Sequence, residues 1–180
     1  MHRGWFVLTG GPRAGKTSVI DALAARGHTV VPEAARTYLE RELAKGRSIE
    51  EIRANEAAFQ LELLRMKMGA EQALSREALV FFDRGMHDSI PYLSIRGVDA
   101  HPLLTEALAN ARYDAVFLLD RLPYKPDAVR TETPEEAARL HELLGEAYRS
   151  AGMKVIAIPV METPEARADS ILRECATISA

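Results

Sequence analysis

Trp5-Phe6-Val7-Leu8-Thr9-Gly10-Gly11-Pro12-Arg13-Ala14-Gly15-Lys16-Thr17 decides how the rest of the chain is read. Trp5 to Thr9 is almost continuously apolar, as a strand buried on both faces requires, and Lys16 to Arg26 follows a helical pattern that Gly27 closes. Between them, Gly10 to Thr17 fits Gly-x4-Gly-Lys-Ser/Thr at every fixed position. By chance the four fixed positions coincide in roughly one chain of this length per hundred, and the strand before and helix after make chance rarer still. Backbone amides and the positive end of the helix can wrap a polyphosphate in such a loop. Gly10 and Gly15 let the backbone turn sharply, Lys16 reaches the outer phosphates, and the Thr17 hydroxyl takes a magnesium position. The expected nucleotide-contacting set is therefore Gly10, Gly11, Pro12, Arg13, Ala14, Gly15, Lys16, Thr17 and Ser18.

Working outward, four more short apolar runs appear: His28 to Val31, stopped by Pro32, then Leu79 to Phe82, Ala115 to Leu119 and Val155 to Ile158. Each pair is separated by enough residues for a crossover helix, which predicts an α/β fold with a five-stranded parallel sheet and helices on both faces. Thr37 to Leu74 reads as a helical insertion. In it Ser48 and Glu51 form a capping box that opens a long helix, with Ile49, Ile52, Phe59, Leu63 and Met66 as its packing face. Residues 121–132 hold two prolines, two arginines and one lysine and read as a mobile basic loop. Thr133-Pro134-Glu135-Glu136 and Thr163-Pro164 then open the last two helices.

A chain of 180 residues is the size of one domain, here 1–180. With 47% hydrophobic and 27% charged residues, and only 11 glycines and 9 prolines, disorder and collagen-like structure are excluded. Against 26 acidic residues stand 23 basic ones, so no global positive field draws in nucleic acid or anionic lipid. No apolar run nears the roughly 18 residues of a membrane helix. Cys175 is the only cysteine, which suits a reducing cytoplasm, and none of the five histidines is paired at zinc-ligand spacing.

The phosphate loop and the strand pattern resemble the P-loop nucleoside triphosphatases, and within them the kinase branch: adenylate-kinase-like and nucleoside-kinase-like proteins, including the nicotinamide riboside kinase-like, AAA-type group. That resemblance implies a three-layer fold with strand order 2-3-1-4-5, ATP and Mg2+ as cofactors, and a small-molecule phosphoryl acceptor as partner. A second copy of the chain is a further candidate partner. A mechanical ATPase would place Asp-Glu after four apolar residues, whereas Leu79-Val80-Phe81-Phe82-Asp83 is followed by Arg84, and Asp120 by Arg121. A GTPase would carry Asn/Thr-Lys-x-Asp, and Tyr124-Lys125-Pro126-Asp127 departs from it at the first position.

Asp83-Arg84-Gly85 looks like the acid-Arg motif of nucleoside kinases, with Asp83 near magnesium and Arg84 beside the acceptor. The same resemblance makes Glu33, at the end of the second strand, the base for an acceptor hydroxyl; Arg36 would hold an acceptor phosphate or pin Glu33. Loop 121–132 becomes a lid that brings Arg130, with Arg121, onto the phosphates, while Lys125 reads as solvated. Phe59 and Gln60 read as core rather than as contacts to an acceptor ring. The expected catalytic set is Lys16, Glu33, Asp83, Arg84 and Arg130, with Thr17 and Asp83 on the metal. A nucleotide-monophosphate kinase and a regulatory, non-kinase ATPase are the alternatives.

Overall fold

The three central apolar runs have no polar face to offer water, so they are covered on both sides. In the computed structural model, which describes residues 4–123 and 133–178, they are β1 (Gly4–Thr9), β3 (Leu79–Asp83) and β4 (Ala115–Leu119), buried along nearly their whole length. β2 (Thr29–Val31) and β5 (Val155–Ile158) complete an all-parallel sheet in the order β2-β3-β1-β4-β5. Fully buried strands were expected throughout. The two edge strands are only partly covered, because each has a neighbour on one side alone. Register is continuous across the centre: Trp5 pairs with Val80, and Phe6 with both Phe81 and Ala115.

Alternation along the strands divides the interior in two. Phe6, Leu8, Phe81, Phe117 and Leu119 face α1 (Lys16–Ala25) and α8 (Pro164–Ile178), which contribute Val19, Leu23, Ala168, Ile171 and Cys175. Trp5, Val7, Val80, Phe82 and Val116 face the other layer. That layer is built from α4 (Glu56–Gln72), α5 (Ser89–Arg96), α6 (Pro102–Asn110) and α7 (Pro134–Ser150), with Leu64, Leu93, Leu104 and Tyr148 as their buried contacts. The Cys175 thiol is buried, and burial pushes it up to about 12.

The helical region between β2 and β3 differs from expectation. It begins earlier, with α2 (Ala34–Ala44), and the Ser48–Glu51 capping box opens only the five-residue α3 (Ile49–Arg53). A second cap stops the run: the Asn55 side chain accepts from the Ala58 amide and starts α4 afresh. Ile52, Phe59 and Leu63 form a small separate core with Ala34 and Tyr38, and Met66 packs at its edge. Ile49, expected on that face, is the first residue of α3 and is 55% exposed. The Thr133 capping box and the Thr163 cap are both formed. Among the described residues no helix is long and apolar enough to cross a membrane.

Candidate active site

The phosphate loop leaves β1 at its carboxyl end, where parallel sheets open a crevice between their connections. Gly10 has φ 145°, and a Cβ there would lie 2.7 Å from the Leu119 carbonyl oxygen of β4, so only glycine lets the loop pass. Gly15, at φ 73°, is the N-cap of α1 and supplies no capping side chain. The first amides of that helix therefore have neither an intrahelical partner nor a side-chain cap, the arrangement that receives an anion. Lys16 lies buried across the loop, its Nζ donating to the carbonyls of Gly10 (3.0 Å) and Gly11 (3.3 Å). Burial first, then the Arg84 charge, lowers Lys16 to about 8. Thr17 and Ser18 are exposed at the helix start, Arg13 and Pro12 half-buried, Ala14 buried.

Two distant side chains hold this loop in shape. From α7, His141 Nδ1 accepts the Gly11 amide at 3.3 Å. From α8, the Arg167 guanidinium, 2% exposed, donates to Ala14 O at 2.6 Å and to Asp120 O and Ile158 O at 3.0 Å each. It thereby joins the loop to the ends of β4 and β5. Neither residue is marked by the sequence, since each acts on a partner more than 100 positions away.

Beside the loop, Asp83, Arg84 and Glu33 converge. Asp83 ends β3 and is 4% exposed, with Oδ1 buried and without a hydrogen-bond partner among the described residues. Burial, and then the Glu33 charge, push its carboxyl up to about 6. Arg84 has φ 70°, a left-handed conformation for a residue with a Cβ, while its amide still donates to Leu8 O at 3.0 Å. Its Nε meets Glu33 Oε1 at 2.9 Å and its Nη1 meets Asp88 Oδ1 at 3.1 Å. Arg84 was expected beside the acceptor; it is also the centre of a buried ion-pair network. Glu33 is not on β2 but two residues beyond it, at the N-cap of α2. Arg36 does not pin Glu33: it pairs with Glu40 at 3.0 Å and is well exposed. Phe59 is core, as expected, and Gln60 donates to Glu56.

Asp88 was not anticipated. Fully buried, it accepts the Thr9 hydroxyl at 2.7 Å, the Tyr148 hydroxyl and the Gly85 amide, as well as Arg84. Despite its burial, the charges of Arg84 and Lys67 hold its carboxyl below the usual range. An acid four positions after Arg84 was the available signal, but its meaning depends on the single 3-10 turn Met86–Asp88 that folds it back. Lys67, on α4, donates to Gly85 O at 2.9 Å and Ser89 Oγ at 3.1 Å. Arg121 is half-buried, its Nε without a partner among the described residues. Arg130, Lys125 and residues 124–132 lie outside the described residues.

The donor set fits a magnesium ion bound with a nucleotide. Asp83 presents an unpaired buried oxygen, and Thr17 presents a hydroxyl at the start of α1. No group of three metal-ligating side chains converges among the described residues, so the remaining ligands would come from phosphate and water.

The fold has relatives among solved structures. NadR protein in complex with NAD and AMP-PNP superposes with TM-score 0.67 at 17% identity, covering 97% of this chain and 50% of that one. NadR in complex with NR gives 0.66 at 20% identity, covering 97% and 52%. Thymidylate kinase from Ehrlichia chaffeensis gives 0.66 at 12% identity, covering 98% and 100%. The chain thus spans about half the length of the two NadR chains. A search of curated proteins finds no match. A family model for the AAA domain, however, matches residues 5–167, from the first residues of β1 to the Arg167 that ties α8 to the phosphate loop. With the loop, the strand order and that match in agreement, the chain belongs to the AAA domain family and has a P-loop kinase-like fold.

Proposed function

We propose that the protein is a kinase that moves the γ-phosphoryl group of ATP, with magnesium, onto a hydroxyl of a small nucleoside-like acceptor. The observation that carries this reading is the placement of Glu33 and Arg84, joined at 2.9 Å, beside an unpaired Asp83 and the phosphate loop. Lys16 and the first amides of α1 hold the phosphates in line. The metal, on Thr17 and Asp83, would supply charge neutralisation to the phosphate oxygens. The acceptor oxygen bonds to the γ-phosphorus as the bridge to the β-phosphate breaks, that electron pair leaving with ADP, and the hydroxyl proton passes to Glu33. Arg84 orients Glu33, and Arg130 with Arg121 closes over the transferring group. Solved neighbours bound to AMP-PNP and NR, or named as a thymidylate kinase, agree with a nucleotide donor and a small acceptor.

A phosphate acceptor is less well supported, because Arg36 is engaged by Glu40 at the surface. Phosphorus NMR of ATP and magnesium with pooled nucleosides, and separately with pooled monophosphates, tests the reading. New monoesters are expected from the first pool, with loss of about 10²–10⁴-fold in Glu33→Gln at unchanged ATP affinity. Diphosphates from the second pool, undiminished in Glu33→Gln, would overturn the hydroxyl assignment. ATP hydrolysis with no product from either pool would favour the regulatory ATPase.

A further inference from the structure

Where β2 and β3 end, residues of α2 and α4 line a cleft of about 150 Å³. Its walls are mainly apolar: Val31, Pro32, Met66 and Phe82 line it, with Ala70 at one side. Arg84 forms part of the same wall, and Glu33, sitting between the lining residues Pro32 and Ala34, is bonded to Arg84. The cleft therefore opens beside the carboxylate assigned to the acceptor hydroxyl. Its size decides what can enter. A cavity of that volume accepts a single benzene ring, and a fused two-ring base is larger than it.

One wall is polar. Lys67, on α4, lines the cleft, and its ammonium donates to Gly85 O and Ser89 Oγ at the cleft's inner side, by α4 and β3. Those two bonds use two of its three N–H groups. The third has no hydrogen-bond acceptor among the described residues. Burial, the dominant influence, lowers Lys67, which marks the cost of holding an ammonium there without a further oxygen. Glu71, one turn along α4 and also lining the cleft, accepts the Tyr113 hydroxyl, so it acts on Lys67 through its charge, as Asp88 and Glu33 do, and not through a hydrogen bond.

We propose that this cleft takes the acceptor's head group as a single ring bearing an exocyclic carbonyl oxygen, and that Lys67 is the residue that recognises that oxygen. The inference rests on the kinase reading for the identity of the cleft as the acceptor site. A ribose at the mouth then presents its hydroxyl to Glu33, and purines are rejected by size. Lys67 makes no contact with the reacting atoms, so its contribution falls on acceptor affinity and not on the transfer rate.

The test measures binding of uridine, cytidine, adenosine and guanosine by saturation-transfer NMR and calorimetry, in the presence of AMP-PNP and magnesium, followed by transfer from ATP. Uridine or cytidine should bind, and the two purine nucleosides should not. Lys67→Met should weaken the pyrimidine nucleosides by about tenfold or more, raising KM at nearly unchanged kcat, with AMP-PNP affinity retained. Ala70→Phe, which fills the cleft, should abolish their binding while AMP-PNP still binds. Equal binding of purines, no nucleoside binding at all, or a Lys67→Met variant that loses Tm and AMP-PNP affinity without a change in acceptor KM would each overturn the proposal. Pyrimidine nucleosides that bind but receive no phosphoryl group would leave the cleft standing and sink the kinase reading; transfer to purines alone would do the reverse.

Discussion

Lys16 lies in a buried position with two carbonyl acceptors and a neighbouring guanidinium that opposes its charge. A polyphosphate adds to the counter-charge of Asp83, Glu33 and Asp88, so binding raises the affinity of Lys16 for its proton. ATP added without metal near pH 8 should therefore be accompanied by proton uptake, seen as a calorimetric enthalpy that depends on the buffer's ionisation enthalpy. The dependence should fade by about pH 6.5, where the lysine is already charged. Lys16→Ala should remove most ATP affinity while leaving the circular dichroism spectrum intact, since the side chain contacts the loop and not the apolar core. Arg130→Ala should lower transfer about 10³-fold, by analogy with arginine fingers, at nearly constant ATP affinity. Lys16, Asp83 and Arg84 were legible because each sits at a fixed distance from a strand end. Asp88 and Lys67 were not, because their partners are set by a left-handed residue and a helix packing angle that no local pattern encodes.

Each helix does more than cover the sheet. α8 delivers Arg167 to three backbone carbonyls that lie on the phosphate loop and on the ends of β4 and β5. Arg167→Met keeps much of the volume but removes three hydrogen bonds, leaving Ile158 O with the Asp120 amide alone, and should cost about 3 kcal/mol or more in urea unfolding. ATP affinity should fall with it, because Ala14 is then free to move. α2 ends in a different device: Glu42, 5% exposed, accepts from Lys45 at 2.7 Å, Arg47 at 3.1 Å and Arg41 at 3.2 Å. The bond from Lys45, aided by Arg47 and Arg41 against burial, lowers it from 4.5 to about 2. A carboxylate depressed in the folded state stabilises above its ordinary value and loses that contribution as pH falls toward the folded one. Glu42→Gln should therefore lower Tm at pH 7, and the gap from wild type should close between about pH 4.5 and about 2. The capping boxes at Ser48 and Thr133 were readable residue by residue. The break at Ala54 was not, since Asn55 is an equally good cap and only the packing of α4 on α2 decides between one helix and two.

Across the whole molecule, stability rests on two main cores separated by one sheet, with the small cluster around Tyr38 and Phe59 beside them. Phe6 stands at the middle of the first, between Phe81 and Phe117, with ring centroids 5.9 and 5.8 Å away. Phe6→Ala should cost about 3–5 kcal/mol, read as a lower urea midpoint with an unchanged slope. The five strands were legible from apolar runs alone; the three central ones, buried on both faces, carry no alternation to misread, and the partly covered edge strands kept short apolar runs of their own. Their order was not, since apolar runs carry no record of their neighbours; it came from resemblance and agrees with the observed β2-β3-β1-β4-β5. His141 and Arg167 show the same limit, as long-range ties across 130 and 153 positions leave no mark in either local segment.

Arg13 and Arg84 are the two described residues other than glycine at positive φ, at 64° and 70°, and both stand at the phosphate-binding edge. Glycine would relieve about 1–2 kcal/mol of backbone strain at each, but at position 84 it would also strip buried Asp88 of its guanidinium partner, a larger loss of about 3–5 kcal/mol. A library of variants sorted by heat resistance alone would thus hold Arg84 for its ion pairs while leaving position 13 open to Gly. Sorting first for nucleotide retention, then for heat, keeps the two arginines and directs stabilising changes to the edge strands and exposed helix faces.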